Sequence, residues 1–222
     1  MALTMVSFKE AITFGFDVLK KNAGLFFQLF LFWIVYSIIV NAVEALAGGN
    51  TEWPAVAIPM LIFILFFIVN QTLFVGSQRI ILKLCDGKET SFSELFSGFD
   101  IIWNYIVVVI LMTLILVGGF LLLIIPGIIW GIKFQFAPLL VIDKGMGPIE
   151  ALKKSSEMTK GIKWKLFNFG FFLFLINILG LLCLLVGVIV TALASSVAAT
   201  YLYRKLVSQT EIPTTPLIIE GH

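Results

Sequence analysis

Four polar side chains interrupt otherwise apolar stretches of this chain, Asn70 and Gln71 in one and Lys133 and Gln135 in another. A lysine in hydrocarbon is costly, so it attracts an anion, snorkels toward water or hydrogen-bonds to a neighbouring helix. Asn70, Gln71 and Thr72 form a polar band that could supply such a helix and complete a small site for an anionic substrate. Lys133 is ten residues from Asp143. That is about 15 Å of helix, so snorkelling alone leaves it short of water. No carboxylate pair lies within the apolar stretches, which leaves a proton relay without its parts. The one histidine is His222, and Cys85 and Cys183 fall at opposite ends of different segments. Metal ligation, a disulfide and histidine acid–base catalysis are therefore not expected, and no cofactor is implied. Ser195 and Ser196 have no histidine to activate them.

A second constellation is basic: Lys153, Lys154, Lys160, Lys163 and Lys165. Beside an anionic bilayer each such residue contributes about 1 kcal/mol of attraction. The same residues also fix the orientation of the segments they flank. They hug the ends of apolar runs and belong to no nucleic-acid-binding module, so nucleic acid is not an expected partner.

The elements that carry these residues follow from composition. The chain is 60% hydrophobic and 13% charged, with mean hydropathy +1.08. A soluble domain is about a quarter charged and lacks the interior to hide so much apolar surface, so lipid must solvate it. A hydrocarbon core about 30 Å thick takes about 20 residues of helix to cross. Six stretches qualify: 24–44, 55–78, 101–123, 128–142, 164–178 and 181–206. The fourth is short, begins at a Pro126–Gly127 break and carries Lys133, Gln135 and Pro138. Such an interrupted span is the usual pointer to a binding site or re-entrant segment. A minimal turn at Asn177 and Gly180 joins the last two.

The connections 45–54, 118–127 and 177–183 contain no Lys or Arg, whereas those between them and both flanks do. That alternation predicts an all-α, N-in/C-in protein. Trp103, Tyr105, Trp164, Tyr201 and Tyr203 mark the inner boundary. The first segment lacks the features of a cleavable leader. Residues 1–208 form one membrane domain, and 209–222 a flexible cytoplasmic tail.

An amphipathic helix followed by a hairpin recurs three times. The helices begin at Ser7-Phe8-Lys9-Glu10, Ser91-Phe92-Ser93-Glu94 and Gly147-Pro148-Ile149-Glu150. The first two are expected to form capping boxes, and the third uses proline at its first position. All three are expected to lie in the membrane interface. Small residues at Gly127 and Gly131, and at Gly187, Thr191, Ala194, Ser195 and Ala198, predict close helix packing.

The run Ile125-Pro126-Gly127-Ile128, Lys133-Phe134-Gln135-Phe136-Ala137-Pro138, Asp143, Glu150-Ala151-Leu152-Lys153-Lys154-Ser155 and Thr159-Lys160-Gly161 resembles the YciC-like bacterial inner-membrane proteins. It is also similar to the membrane domain found beside some glycerophosphodiester phosphodiesterases. The resemblance implies a compact six-helix domain of the bacterial inner membrane with no established chemical activity. No phosphodiesterase catalytic domain is expected with it.

These readings favour a non-enzymatic integral membrane protein that organises lipid, or a membrane-protein partner, at the cytoplasmic face. The alternative is a small transporter or channel with Lys133 at its site. An intramembrane enzyme ranks third, and oligomeric state is not encoded in any of these features.

Overall fold

The computed structural model describes residues 8–47, 57–182 and 184–211. Nine α-helices and one 3-10 helix follow one another, with no strand among the described residues. They are α1 (Phe8–Lys21), α2 (Ala23–Ala47), α3 (Ala57–Cys85), the 3-10 helix Phe92–Asp100, α4 (Ile102–Leu122), α5 (Ile124–Phe134), α6 (Ala137–Lys144), α7 (Pro148–Met158), α8 (Lys163–Leu182) and α9 (Leu184–Glu211). Short helices α1, Phe92–Asp100 and α7 each precede a pair of long apolar elements, so the threefold pattern is present in the element order.

Four helical stretches among the described residues are long and apolar enough to cross a membrane: Ile64–Cys85, Ile102–Leu122, Ile124–Lys144 and Lys163–Leu182. A fifth arises if Lys9–Lys21 and Ala23–Ile39, which meet at 83°, count as one broken span. The chain is a multi-pass membrane protein, helical without strands over the described residues. The corner of that bend is Asn22, whose backbone and side-chain amides both donate to the Val18 carbonyl, at 3.0 and 2.9 Å.

Burial is lopsided. The end of the molecule that carries the cations is densely packed: Thr72 to Leu84 of α3, Leu140 to Ile142 of α6, Ala151 to Met158 of α7 and Ala194 to Val207 of α9 supply most of the core. The opposite ends are splayed and apolar. Leu121 to Ile125, at the α4–α5 corner, are 68–83% exposed. Water would expel such a surface, whereas lipid tails solvate it as well as another leucine does. Tyr105 and Tyr203 are 5% and 0% exposed, so these two are core rather than boundary residues.

Several local expectations are corrected. The fourth span is not 128–142 but Ile124–Lys144, and its start is not a Pro126–Gly127 turn. Extended backbone at Leu123 reverses the chain, and Pro126 sits in the first turn of α5, where a helix needs no amide donor. Asn177 and Gly180 are not a turn but lie inside α8. Asn177 Nδ2 donates to the Leu173 carbonyl (2.8 Å) and to Ser195 Oγ (2.9 Å), which satisfies a polar group within the α8–α9 pair. A Cβ at Gly180 would meet the Gly187 carbonyl at 2.8 Å, so the residue serves close approach. Helix α9 continues to Glu211, placing 209–211 in a helix, while 212–222 lie outside the described residues.

Of the two expected capping boxes, the first includes Ser7, which lies outside the described residues, and the second does not form, since Ser91 makes no side-chain cap. Ion pairs claim the glutamates: Glu10 Oε1 accepts from Lys205 Nζ (2.7 Å) and Tyr201 (2.8 Å), and Glu94 Oε1 from Lys83 Nζ (2.6 Å). Nor is α1 laid on lipid along its apolar stripe. It packs on α9, where a Cβ at Gly15 would meet the Ala194 carbonyl at 2.5 Å. The 3-10 helix docks likewise on α3, through Gly76 against the backbone of Leu95 and Gly98 against the Thr72 carbonyl.

Arg79 locks that second docking. Its Nη2 pairs with Asp100 Oδ2 at 2.8 Å, and its Nη1 donates to the Ser97 carbonyl. The hydrogen bond from Arg79 Nη2 holds the Asp100 carboxyl below the usual carboxylate range. A pKa depressed in the folded state contributes stability that is present above the ordinary carboxylate value and lost as pH falls through the depressed one. Acidification through that window is expected to raise amide exchange at Leu95 to Gly98. In Asp100→Asn the docked helix should exchange faster at neutral pH and show little further response to acid.

Candidate functional site

The break in the fourth span lies at Gln135–Phe136, between α5 and α6. Pro138, the second residue of α6, explains it: in a continuous helix its ring would collide with the Phe134 carbonyl. The break frees backbone groups in a poorly solvated place, and α7 supplies partners for them. Ser155 Oγ donates to the Lys133 carbonyl (2.9 Å) and accepts from the Phe136 amide (3.3 Å). The Thr159 hydroxyl proton is shared between the Ser155 carbonyl (3.0 Å) and the Lys133 carbonyl (3.2 Å). Ser155 and Thr159 are both 0% exposed. Their i, i+4 spacing puts both hydroxyls on the face of α7 turned toward the break.

The expected polar site does not assemble. Lys133 Nζ lies over the Phe134 ring, 4.9 Å from its centroid. No hydrogen bond or ion pair among the described residues links Lys133 or Gln135 to Asn70 or Gln71. Asn70 lies beside Tyr36 of α2, whose hydroxyl donates to the Phe66 carbonyl at 3.2 Å, and Gln71 is half-buried on α3. Gln135 Nε2 is buried with no partner among the described residues. Gly127 meets α4, where a Cβ on Gly119 would reach its Cα at 2.9 Å. Gly131 has ordinary room beside Leu116.

The lysines behave differently. Lys153, Lys160 and Lys165 are exposed on α7, the α7–α8 turn and α8, while Lys154 and Lys163 are half-buried. Lys160 and Lys163 flank Gly161, whose φ of 81° is a left-handed turn that glycine adopts without strain. Beside that turn is a cleft of about 690 Å³. Its floor is Ile125, Ile128, Ile129 and Ile132 of α5, an i, i+3, i+4, i+7 stripe. Its mouth is Lys160, Lys163 and Trp164, with Phe167 one turn further along α8. Trp164 is 79% exposed and meets Phe167 edge-on, ring centroids 5.9 Å apart. An apolar slot with cations and an indole at one end is chemically suited to an amphiphile with an anionic head.

A further cluster ties three helix ends together at the cationic end. Arg204 of α9 pairs through Nη1 with Asp143 Oδ2 of α6 (2.6 Å) and through Nη2 with Asp86 Oδ2, just beyond α3 (2.8 Å). The Tyr203 hydroxyl donates to the same Asp143 oxygen at 2.9 Å. In the sequence Arg204 is one of the cations flanking the last apolar stretch, and its pairing joins residues far apart in the chain. The isoleucine stripe was the one signal of the cleft that spacing alone could have revealed.

Comparison with known proteins adds little chemistry. No family model matches the chain, and no solved structure matches it. An uncharacterized protein of Mycobacterium bovis is 28% identical over 158 residues, covering 70% of this chain and 48% of its own. Uncharacterized proteins of two Mycobacterium tuberculosis strains match over the same length, at 28% and 27% identity. The chain thus spans about half the length of the curated relatives it matches.

Proposed function

We propose that this chain is a six-span, N-in/C-in protein of the bacterial inner membrane, non-enzymatic, which gathers anionic lipid at its cytoplasmic face. Counting α2 and α9 as spans beside the four long apolar stretches gives six, and all but one of the cations then fall at one end or in its connections. The resemblance to YciC-like proteins supports the same architecture and location. The observation that carries the lipid reading is the outward display of Lys153, Lys160 and Lys165 around Trp164 on a surface that must meet a bilayer.

The full-length protein in phosphatidylcholine bilayers should enrich spin-labelled phosphatidylglycerol over phosphatidylcholine in its boundary layer. Each of Lys153, Lys154 and Lys165 is expected to contribute about 1 kcal/mol of that preference, so the triple glutamine variant should lose most of it. A boundary layer with no headgroup preference would remove the proposal. Reporter fusions at Gly49 and Gly119 should be extracellular.

A small transporter has one supporting observation, the buried Gln135 Nε2, without a partner among the described residues, beside a broken span. Reconstituted anion flux that falls in Lys133→Ala would favour it over a lipid-organising role.

A further inference from the structure

We propose that the cleft between α5 and the α7–α8 turn is a specific site for one anionic glycerophospholipid, with an acyl chain along the isoleucine stripe and the phosphate held by Lys160 and Lys163. This rests on the lipid reading above and names the site and headgroup class.

Three features choose this occupant. The volume of about 690 Å³ is within the usual range of ligand sites, roughly 300–1,000 Å³. Its wall is apolar for two turns of α5, about 10 Å, which a free phosphate ion would leave empty and a lipid chain fills. Charge is confined to the mouth and has one sign. No acidic side chain lines the cleft, and neither Lys160 nor Lys163 has an ion-pair partner among the described residues. A zwitterionic lipid would bring its own cation against those lysines, whereas phosphatidylglycerol brings only the phosphate. Trp164, largely exposed beside both, stands where the glycerol region of the bound lipid would lie.

The test uses the full chain with Trp33, Trp53, Trp103 and Trp130 replaced by phenylalanine, so that Trp164 is the only indole. The protein is placed in phosphatidylcholine nanodiscs containing a small fraction of lipid brominated in its acyl chains. Brominated phosphatidylglycerol is expected to quench Trp164 at a mole fraction about fivefold lower per lysine than brominated phosphatidylcholine. In K160Q/K163Q the two quenching curves should coincide, and in Ile128→Trp, made with phenylalanine at position 164 and read in reverse, the new indole should be quenched with the same headgroup preference. Should the tryptophan replacements impair folding, the unaltered protein and K160Q/K163Q are compared by native mass spectrometry for a retained phosphatidylglycerol, present in the first and lost in the second. Equal quenching by both lipids, or a preference that survives K160Q/K163Q, overturns the site. If Trp164 shows no preference while the boundary layer still enriches phosphatidylglycerol, the cleft fails and the broader lipid role stands. If neither shows a preference, both fall.

Discussion

Replacing Arg204 with glutamine is expected to lower the stability of the folded protein by about 3 kcal/mol, seen as an unfolding midpoint lower by about 10 °C in detergent. One guanidinium holds the ends of α3, α6 and α9, reaching Asp86 and Asp143 with separate nitrogens at 2.8 and 2.6 Å. The side chains of Arg204, Asp86 and Asp143 are 23%, 26% and 10% exposed. Removing the cation leaves the nearly buried Asp143 carboxylate, among the described residues, with the Tyr203 hydroxyl in place of its ion pair. Partial exposure places the cost at the lower end of that for breaking a buried pair. Arg204→Lys should rescue less than half of the loss, since an ammonium cannot span both carboxylates as a planar fork does. Arg204→Met combined with Asp143→Asn should be more stable than Arg204→Met alone, because the uncompensated charge goes with its partner. If Arg204→Gln unfolds at the wild-type midpoint, the three helix ends are held by packing alone.

That cluster also explains which parts of the fold were legible in the sequence. Apolar runs of near-bilayer length located α2 and α4 closely, because hydrocarbon thickness acts on each helix separately, whereas α3 and α8 run on past the expected 78 and 178 to Cys85 and Leu182. The sequence showed that the fourth span is interrupted but set the break at Pro126–Gly127, whereas Pro138 places it at Gln135–Phe136. What failed was whatever depends on a second segment. Glu10 and Glu94 carry the local signature of a capping box, yet lysines on α9 and α3 claim their carboxylates. Asn177 and Gly180 read as a turn because a turn favours them, and α9 gives them other work. The amphipathic stripe of α1 is read equally well by lipid and by another helix. Gly15 against Ala194 decides for the helix.

The same contrast bears on the candidate site. Lysine sidedness was visible as charge along the chain, whereas the cleft needs α5 and the α7–α8 turn to converge. Dense packing at the cationic end holds that turn in place, because Met158, Thr159 and Ile162 are all buried within it. Beyond the packed end, hydrophobic burial loses its force and α5 is left with exposed isoleucines. The cleft sits at the border of the two regimes, where a packed charged rim meets an exposed apolar wall.

The rim depends in turn on the seam between α7 and the broken span, and the seam should show strong non-additivity. Ser155→Ala is expected to cost about 1 kcal/mol: it strips the Phe136 amide of its hydroxyl partner but leaves the Lys133 carbonyl bonded to Thr159. Thr159→Val is expected to cost less, since Ser155 Oγ still serves that carbonyl. Together the two changes leave both backbone groups unanswered in a site where the hydroxyls are 0% exposed. The double variant should lose about 3 kcal/mol, at least about 1 kcal/mol more than the sum of the singles. Interhelical hydrogen bonds in membranes average only about 0.6 kcal/mol because the separated helices find other partners. Here Pro138 forbids the repair that a continuous helix would offer, so the freed carbonyl and amide have nowhere else to turn. Equilibrium unfolding in mixed micelles measures all three values. Strict additivity of the singles would mean that the two hydroxyls act independently and that neither stands in for the other at the Lys133 carbonyl.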